Sequence, residues 1–267
     1  MGRVPQSGQS WVSNPDLQSP LFAPLWPITQ RLCRRDDWPS TDDYTALVAR
    51  IREERGLSLP ELRFAPQTKK PRRAKRGPVE LDQLYDGSIA LRGEVPCLTE
   101  SYHDLFNAVI FAAFPLAKHT LHARQFRALR ERVTPGVTRL PEARTREQDA
   151  LTVFDEGGSV VVVSPEFSRR WPSADEKTLL DAEPGQARLW IFGHALLEHI
   201  LYGKYQLRSC AVVLTADTEM PADILPWIDE RLAARLEDPS RFTAPGADGV
   251  VTIDEQGRTW LETSRSS

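Results

Sequence analysis

The chain has 267 residues, 40% of them hydrophobic and 27% charged, with a formal net charge of -3. That suits one domain with a sizeable core and excludes both wholesale disorder and a small disulfide-stapled scaffold. Its three cysteines, Cys33, Cys97 and Cys210, are odd in number and form no C-x-x-C, so neither a disulfide framework nor a zinc knuckle is expected and a reducing, cytoplasmic setting fits. A slightly acidic balance argues against nucleic acid as the partner of the whole chain. The richest apolar run, Val109 to Ala117, is too short to span a bilayer and contains Pro115, so no membrane partner is expected.

In chain order, residues 1–40 are rich in Pro and Trp and predict an extended arm pinned by aromatic anchors. A single α+β domain is expected over 41–240, with a tail over 241–267. Thr41 or Asp42 can cap a helix running to about Arg55, with Tyr44, Leu47, Val48 and Ile51 at helical spacing and Gly56 as its stop. Residues 67–78 hold six basic residues and two prolines and predict an exposed loop. A strand-like stretch covers Tyr85 to Val95. Ser101 then opens a helix to Phe114, with Asp104 as the acidic partner of a capping box. Pro115 starts a second helix through about Arg132. Leu151 to Val163 predicts a hairpin turning at Asp155, Glu156 and the two glycines that follow. A buried helix is expected over about 186–202, then a strand from Cys210 to Thr215 and a helix from Ala222 to Glu237. The fold class is α+β: helix-rich, with small antiparallel strands.

All five histidines lie in three short segments, at His103, at His119 and His122, and at His194 and His199. His103, Asp104 and Asn107 are the polar members of an otherwise apolar helix, and His103 and Asn107 share one stripe. His194 and Glu198 share a stripe in a field of Leu, Ile, Trp and Phe. Imidazole and carboxylate at that spacing can hold a divalent metal or work as an acid/base pair. The candidate catalytic set is therefore His103, Asp104, Asn107, His194 and Glu198. The candidate metal ligands are His103, His194 and Glu198, with Asp149 as a third oxygen donor. Gly193 costs about 1 kcal/mol inside a helix and points to close approach of another backbone or a ligand. A buried histidine hydrogen-bonded to a facing carboxylate explains the same residues without catalysis.

Between Lys118 and Arg146 eight basic residues face two acids, and Lys118, Arg124, Arg127 and Arg130 form a candidate basic ridge for an acidic partner. A solvated helix face is the plainer explanation of the same charges. Walker, Rossmann and G-x-S-x-G motifs are absent, which leaves nucleotide and serine-hydrolase functions without support.

From Tyr85 to Leu214 the chain resembles a bacterial family known as domain of unknown function 3025. The carriers are Gly93 to Pro96 (GEVP), Tyr102 to Ala108 (YHDLFNA), Phe114 and Pro115 with Lys118 and Arg124, Asp149 to Glu156 (DALTVFDE) with Gly158, and Phe192 to Glu198 (FGHALLE). That family has no assigned activity, so the resemblance transfers no function. It implies that His103, Asp104, Asn107, Lys118, Asp149, Asp155, Glu156, His194 and Glu198 belong to a shared pattern. The chain departs from it at Thr99 and Gln148, where the family carries Arg, and at His122 and Gln125, where it carries Asn and His. Two classes of function remain open: an enzyme of hydrolase or lyase type acting on a small molecule, with or without a divalent metal, and a non-enzymatic binding protein using the basic face.

Overall fold

The structure is a computed structural model that describes residues 10–11, 19–67, 77–134, 136–141, 143–171, 178–180, 185–204, 206–217, 223–243 and 248–263. Most of the 67–78 loop and most of residues 1–18 lie outside these. The N-terminal part is less extended than its prolines suggest: a 3-10 turn over Ala23–Leu25 leads into α1 (Trp26–Cys33), with Pro27 in the first turn, where no amide partner is lost. α1 buries Ile28, Leu32 and Cys33. Trp11 is an aromatic anchor, its Nε1 donating to the Arg35 carbonyl at 2.8 Å and its ring lying 4.8 Å from Trp38.

α2 (Thr41–Glu54) buries the expected stripe of Tyr44, Leu47, Val48 and Ile51, but its cap is Ser40, one residue earlier, in a reciprocal box with Asp43. β1 (Arg63–Pro66) follows. The strand expected from Tyr85 is instead α3 (Tyr85–Arg92), which ends at Gly93 in a left-handed conformation, φ +63°. Gly93 marks a helix C-terminus, and only β2 (Glu94–Cys97) beyond it is extended, pairing in parallel with β1. α4 (Tyr102–Ala113) and α5 (Pro115–Arg130) fall where the sequence places them. No side chain of the preceding loop caps α5; Asp229 does so from across the fold, accepting the Leu116 and Ala117 amides at 3.1 and 2.8 Å.

The expected hairpin over 151–163 is a helix and a strand. α6 (Arg146–Gly157) starts from a Thr145–Gln148 capping box, buries Ala150, Leu151 and Phe154 along one face, and passes through Gly157 into β3 (Gly158–Val163). β3 is buried along its whole length, as the Val160–Val163 run requires of a central strand. α7 (Pro165–Arg170) and β4 (Thr178–Leu179) follow. The long helix expected over 186–202 divides into β5 (Ala187–Ile191) and α8 (His194–Leu201), because an apolar run of this kind suits a buried strand as well as a helix and the pairing with β3 decides it. β6 (Leu207–Thr215) and α9 (Ile224–Glu237) agree with expectation. β7 (Gly249–Ile253) and β8 (Thr259–Thr263) occupy the stretch expected to be a tail, where they bury Val251, Ile253 and Leu261.

The larger sheet has the order β4-β8-β7-β6-β3-β5, with β3 and β6 parallel and every other pair antiparallel. The fold is thus α+β, with a mixed rather than purely antiparallel sheet and one continuous core. Among the described residues no helix is long and apolar enough to cross a membrane.

Candidate metal centre

The site forms where two helix ends meet beside the sheet. Antiparallel pairing of β3 with β5 puts Ser159 opposite Ile191, and the Phe192 and Gly193 amides then both donate to the Gly158 carbonyl, at 3.0 and 2.8 Å. The last turn of α6 is thereby pressed against the start of α8. A Cβ on Gly193 would lie 2.5 Å from the Glu156 carbonyl oxygen and from the Gly157 backbone, so the close backbone approach expected of this glycine is present. Gly193 is the N-cap of α8 and not an interior position. His194 opens α8, Glu156 closes α6, and α4, packed along α8, brings His103 from its own first turn.

His103 and His194 present their Nε2 atoms to each other at 3.1 Å, with the rings 4.5 Å apart and inclined at 76°. A Glu156 carboxylate oxygen lies 3.6 Å from the same His194 nitrogen, and the donor atoms of His103, Glu156 and His194 all fall within 4.8 Å of one another. Behind His103, its Nδ1 faces the Glu198 carboxylate at 3.4 Å. His194 is buried and His103 half-buried, whereas the Glu156 side chain is 48% exposed and opens the cluster to solvent.

The electrostatics separate the two imidazoles. Burial drives His194 well below the ordinary histidine range, and the nearby positive charges of Lys118 and His103 push the same way. Burial also acts against charge on His103, but the hydrogen bond to Glu198 and the charges of Glu156 and Asp104 outweigh it and raise its pKa. Glu156 is raised by burial and by its neighbour Asp155. In the neutral tautomer with its proton on Nδ1, toward Glu198, His103 presents a lone pair at Nε2. Facing His194 Nε2 must then donate to it or share a cation with it. A tetrahedral zinc held at about 2.0–2.1 Å separates two imidazole nitrogens by roughly 3.3 Å, close to the spacing found. The residues suited to hold a first-row divalent metal are therefore His103, His194 and Glu156, with Glu198 orienting His103 from behind, as carboxylates commonly do for metal-bound histidine.

The other sequence-derived candidates go elsewhere. Asp149 is exposed in the first turn of α6, seven residues and roughly 10 Å along the axis from Glu156. Asp104 accepts the Leu98 amide at 3.2 Å, so the expected capping box is only half made, by Ser101. Asn107 receives Lys118 Nζ at 3.0 Å and donates to the Tyr85 hydroxyl at 2.9 Å. Lys118 is fully buried and bonds Asp155 at 2.5 Å. Arg124 is buried too, bound to Glu147 at 2.6 Å and to the carbonyls of Leu236, Asp238 and Arg241. Only Arg127 and Arg130 of the expected basic ridge are exposed, because α5 is packed by α3, α4, α6 and α9 on most sides. His122 pairs with Asp86 at 3.0 Å under a stacked Phe111 ring. His119 and His199 lie outside the cluster, which holds two of the five histidines.

Glu156 is the member of this cluster that the histidine and carboxylate stripes of the sequence did not place beside His103 and His194. A hairpin turn explains an acidic residue by itself; the signal that would have found it is the Thr145–Gln148 capping box, which turns Asp149 to Glu156 into helix and places Glu156 at its end.

A family model described as "Protein of unknown function (DUF3025)" matches residues 72–247, well over half of the chain. The chain belongs to this family. The DUF3025 match takes in both histidines, Glu156 and Glu198, so the centre lies wholly inside the family domain. No curated protein and no solved structure matches the chain. Of the positions where the chain departs from the pattern expected for DUF3025, Gln148 completes the α6 capping box, His122 and Gln125 are buried, and Thr99 is exposed.

Proposed function

We propose that this protein is a metal-dependent enzyme of hydrolase or lyase type acting on a small molecule, with His103, His194 and Glu156 as its metal ligands. The observation that carries the proposal is the convergence of two imidazole nitrogens 3.1 Å apart with an exposed carboxylate, delivered by three separate helices. Burial keeps His194 neutral and its Nε2 available as a ligand. Glu198 holds the His103 tautomer that frees the facing nitrogen. Three protein ligands leave coordination positions for water and substrate on the open Glu156 side, the arrangement of catalytic rather than structural sites. A divalent ion there would supply Lewis acidity and an acidified water. A binding protein working through a basic face has less support, since Lys118 and Arg124 are committed to internal partners. All three cysteines are buried and free, which supports a cytoplasmic location.

The test is metal analysis of the protein purified without chelator, followed by titration of stripped protein with zinc, cobalt and manganese. Near one equivalent bound, lost in Glu156→Gln and in His194→Ala with the fold retained by circular dichroism, is the expected result. Wild type that takes up none of these ions reduces the cluster to a buried histidine pair.

A further inference from the structure

Building on the proposed metal centre, we infer that Asp155 is the positioning residue of His194: with a metal bound at Nε2, the Asp155 carboxylate accepts a hydrogen bond from the Nδ1–H, and Lys118 holds that carboxylate in place.

His194 Nδ1 is buried and has no hydrogen-bond partner among the described residues. A neutral imidazole carries one proton, so coordination through Nε2 fixes that proton on Nδ1. A buried N–H without an acceptor is costly, and an acceptor there raises the basicity of the ligating nitrogen. The last turn of α6 supplies one. Asp155 immediately precedes the ligand Glu156, and the backbone of that turn is pressed against Gly193, the residue before His194. Among the charges acting on the His194 ring, that of Asp155 comes first.

Asp155 is itself held from behind. Its Oδ1 receives Lys118 Nζ, Lys118 also bonds Asn107, and Asn107 bonds the Tyr85 hydroxyl. This chain keeps a buried carboxylate ionised and fixed, leaving Oδ2 as the acceptor that we assign to His194. The centre then has matching halves: Glu198 behind Nδ1 of His103 and Asp155 behind Nδ1 of His194, with the two Nε2 atoms facing the ion.

A variant of Asp155 alone would strand the Lys118 charge, so the test uses the double variant Lys118→Met/Asp155→Asn, which removes both charges together. Zinc affinity, measured by competition with a chromophoric chelator, is expected to fall roughly 10- to 100-fold while the denaturation midpoint stays close to that of wild type. An affinity within twofold of wild type in the folded double variant overturns the assignment and leaves Lys118–Asp155 a structural ion pair. Long-range 15N–1H spectra of zinc-loaded wild type give a second readout that needs no variant. A His194 proton on Nδ1, protected from exchange and shifted downfield, is expected; a broad, rapidly exchanging one overturns the inference. Wild type that binds no metal instead fails the proposed function itself, and does so before any variant is compared.

Discussion

Replacing Lys118 with methionine probes the best-defined buried charge in the fold. The ammonium group has no solvent exposure and donates to Asp155 at 2.5 Å and to Asn107 at 3.0 Å. Methionine fills the space of the stem, so the cavity term is small and the loss is electrostatic. Removing one partner of a buried ion pair costs about 3–5 kcal/mol, and the Asn107 oxygen loses its donor within the same network, so about 4 kcal/mol in total is expected. For a chain of this size that corresponds to a fall in Tm of roughly 8–16 °C. The pH dependence carries the sign. In the wild type burial pushes the Asp155 carboxyl up, but the Lys118 charge and hydrogen bond hold it well below the usual carboxylate range. A carboxyl depressed in this way contributes stability above its unfolded pKa of about 3.9, which is lost as pH falls through the folded value. Without Lys118 burial dominates and the folded value rises above the unfolded one. The gap between wild type and variant should then narrow between pH 7 and pH 4 as the stranded carboxyl takes up a proton. Urea denaturation at both pH values measures this, and adding Asp155→Asn should recover most of the loss. A loss under about 1 kcal/mol, or one that the second substitution leaves untouched, refutes the reasoning.

Arg124→Ala should cost roughly 3 kcal/mol, because three carbonyls and Glu147 lose their donor, whereas Arg127→Ala and Arg130→Ala should stay within about 0.5 kcal/mol; thermal melts of the three separate an internal clamp from a surface ridge. Asp229→Ala should cost about 1–2 kcal/mol by uncapping α5, with Asp229→Asn costing less, as read from urea midpoints. Gly193→Ala places a methyl group against the Glu156 and Gly157 backbone and should cost about 1–3 kcal/mol, lowering zinc affinity as the ligands move apart; unchanged affinity would show that the junction does not set their spacing.

The elements readable from sequence were those whose periodicity and punctuation agree. α2, α4, α5 and α9 carry helical stripes bounded by caps, glycine or proline. The misread segments are those where one composition serves two structures. Leu189 to Ile191 is apolar on every side, and only the partner β3 makes it a strand. Leu151 to Phe154 looks β-like through Val153 and Thr152, yet Ala150, Leu151 and Phe154 are the residues that turn inward. His103 and His194 were visible as polar notches in apolar surroundings, and they do meet. Glu156 stands in the shared family pattern but on its own reads as a turn residue, because its place beside His194 depends on the register of β3 with β5. Lys118 and Arg124 were misjudged for a similar reason: a charged side chain on a helix is taken as solvated until its neighbours are known, and here α9 and α6 cover the helix face that carries them.

Strand β5 is an edge strand of its sheet among the described residues, and its register with β3 helps set how far His194 stands from Glu156. Peripheral strands open locally at lower free energy than the strands they flank. The centre can therefore come apart while β3, β6 and β7 remain folded, making ion retention a property of one small cooperative unit. On gentle heating, release of the ion and hydrogen exchange at the Phe192 and Gly193 amides should run together, ahead of the global transition.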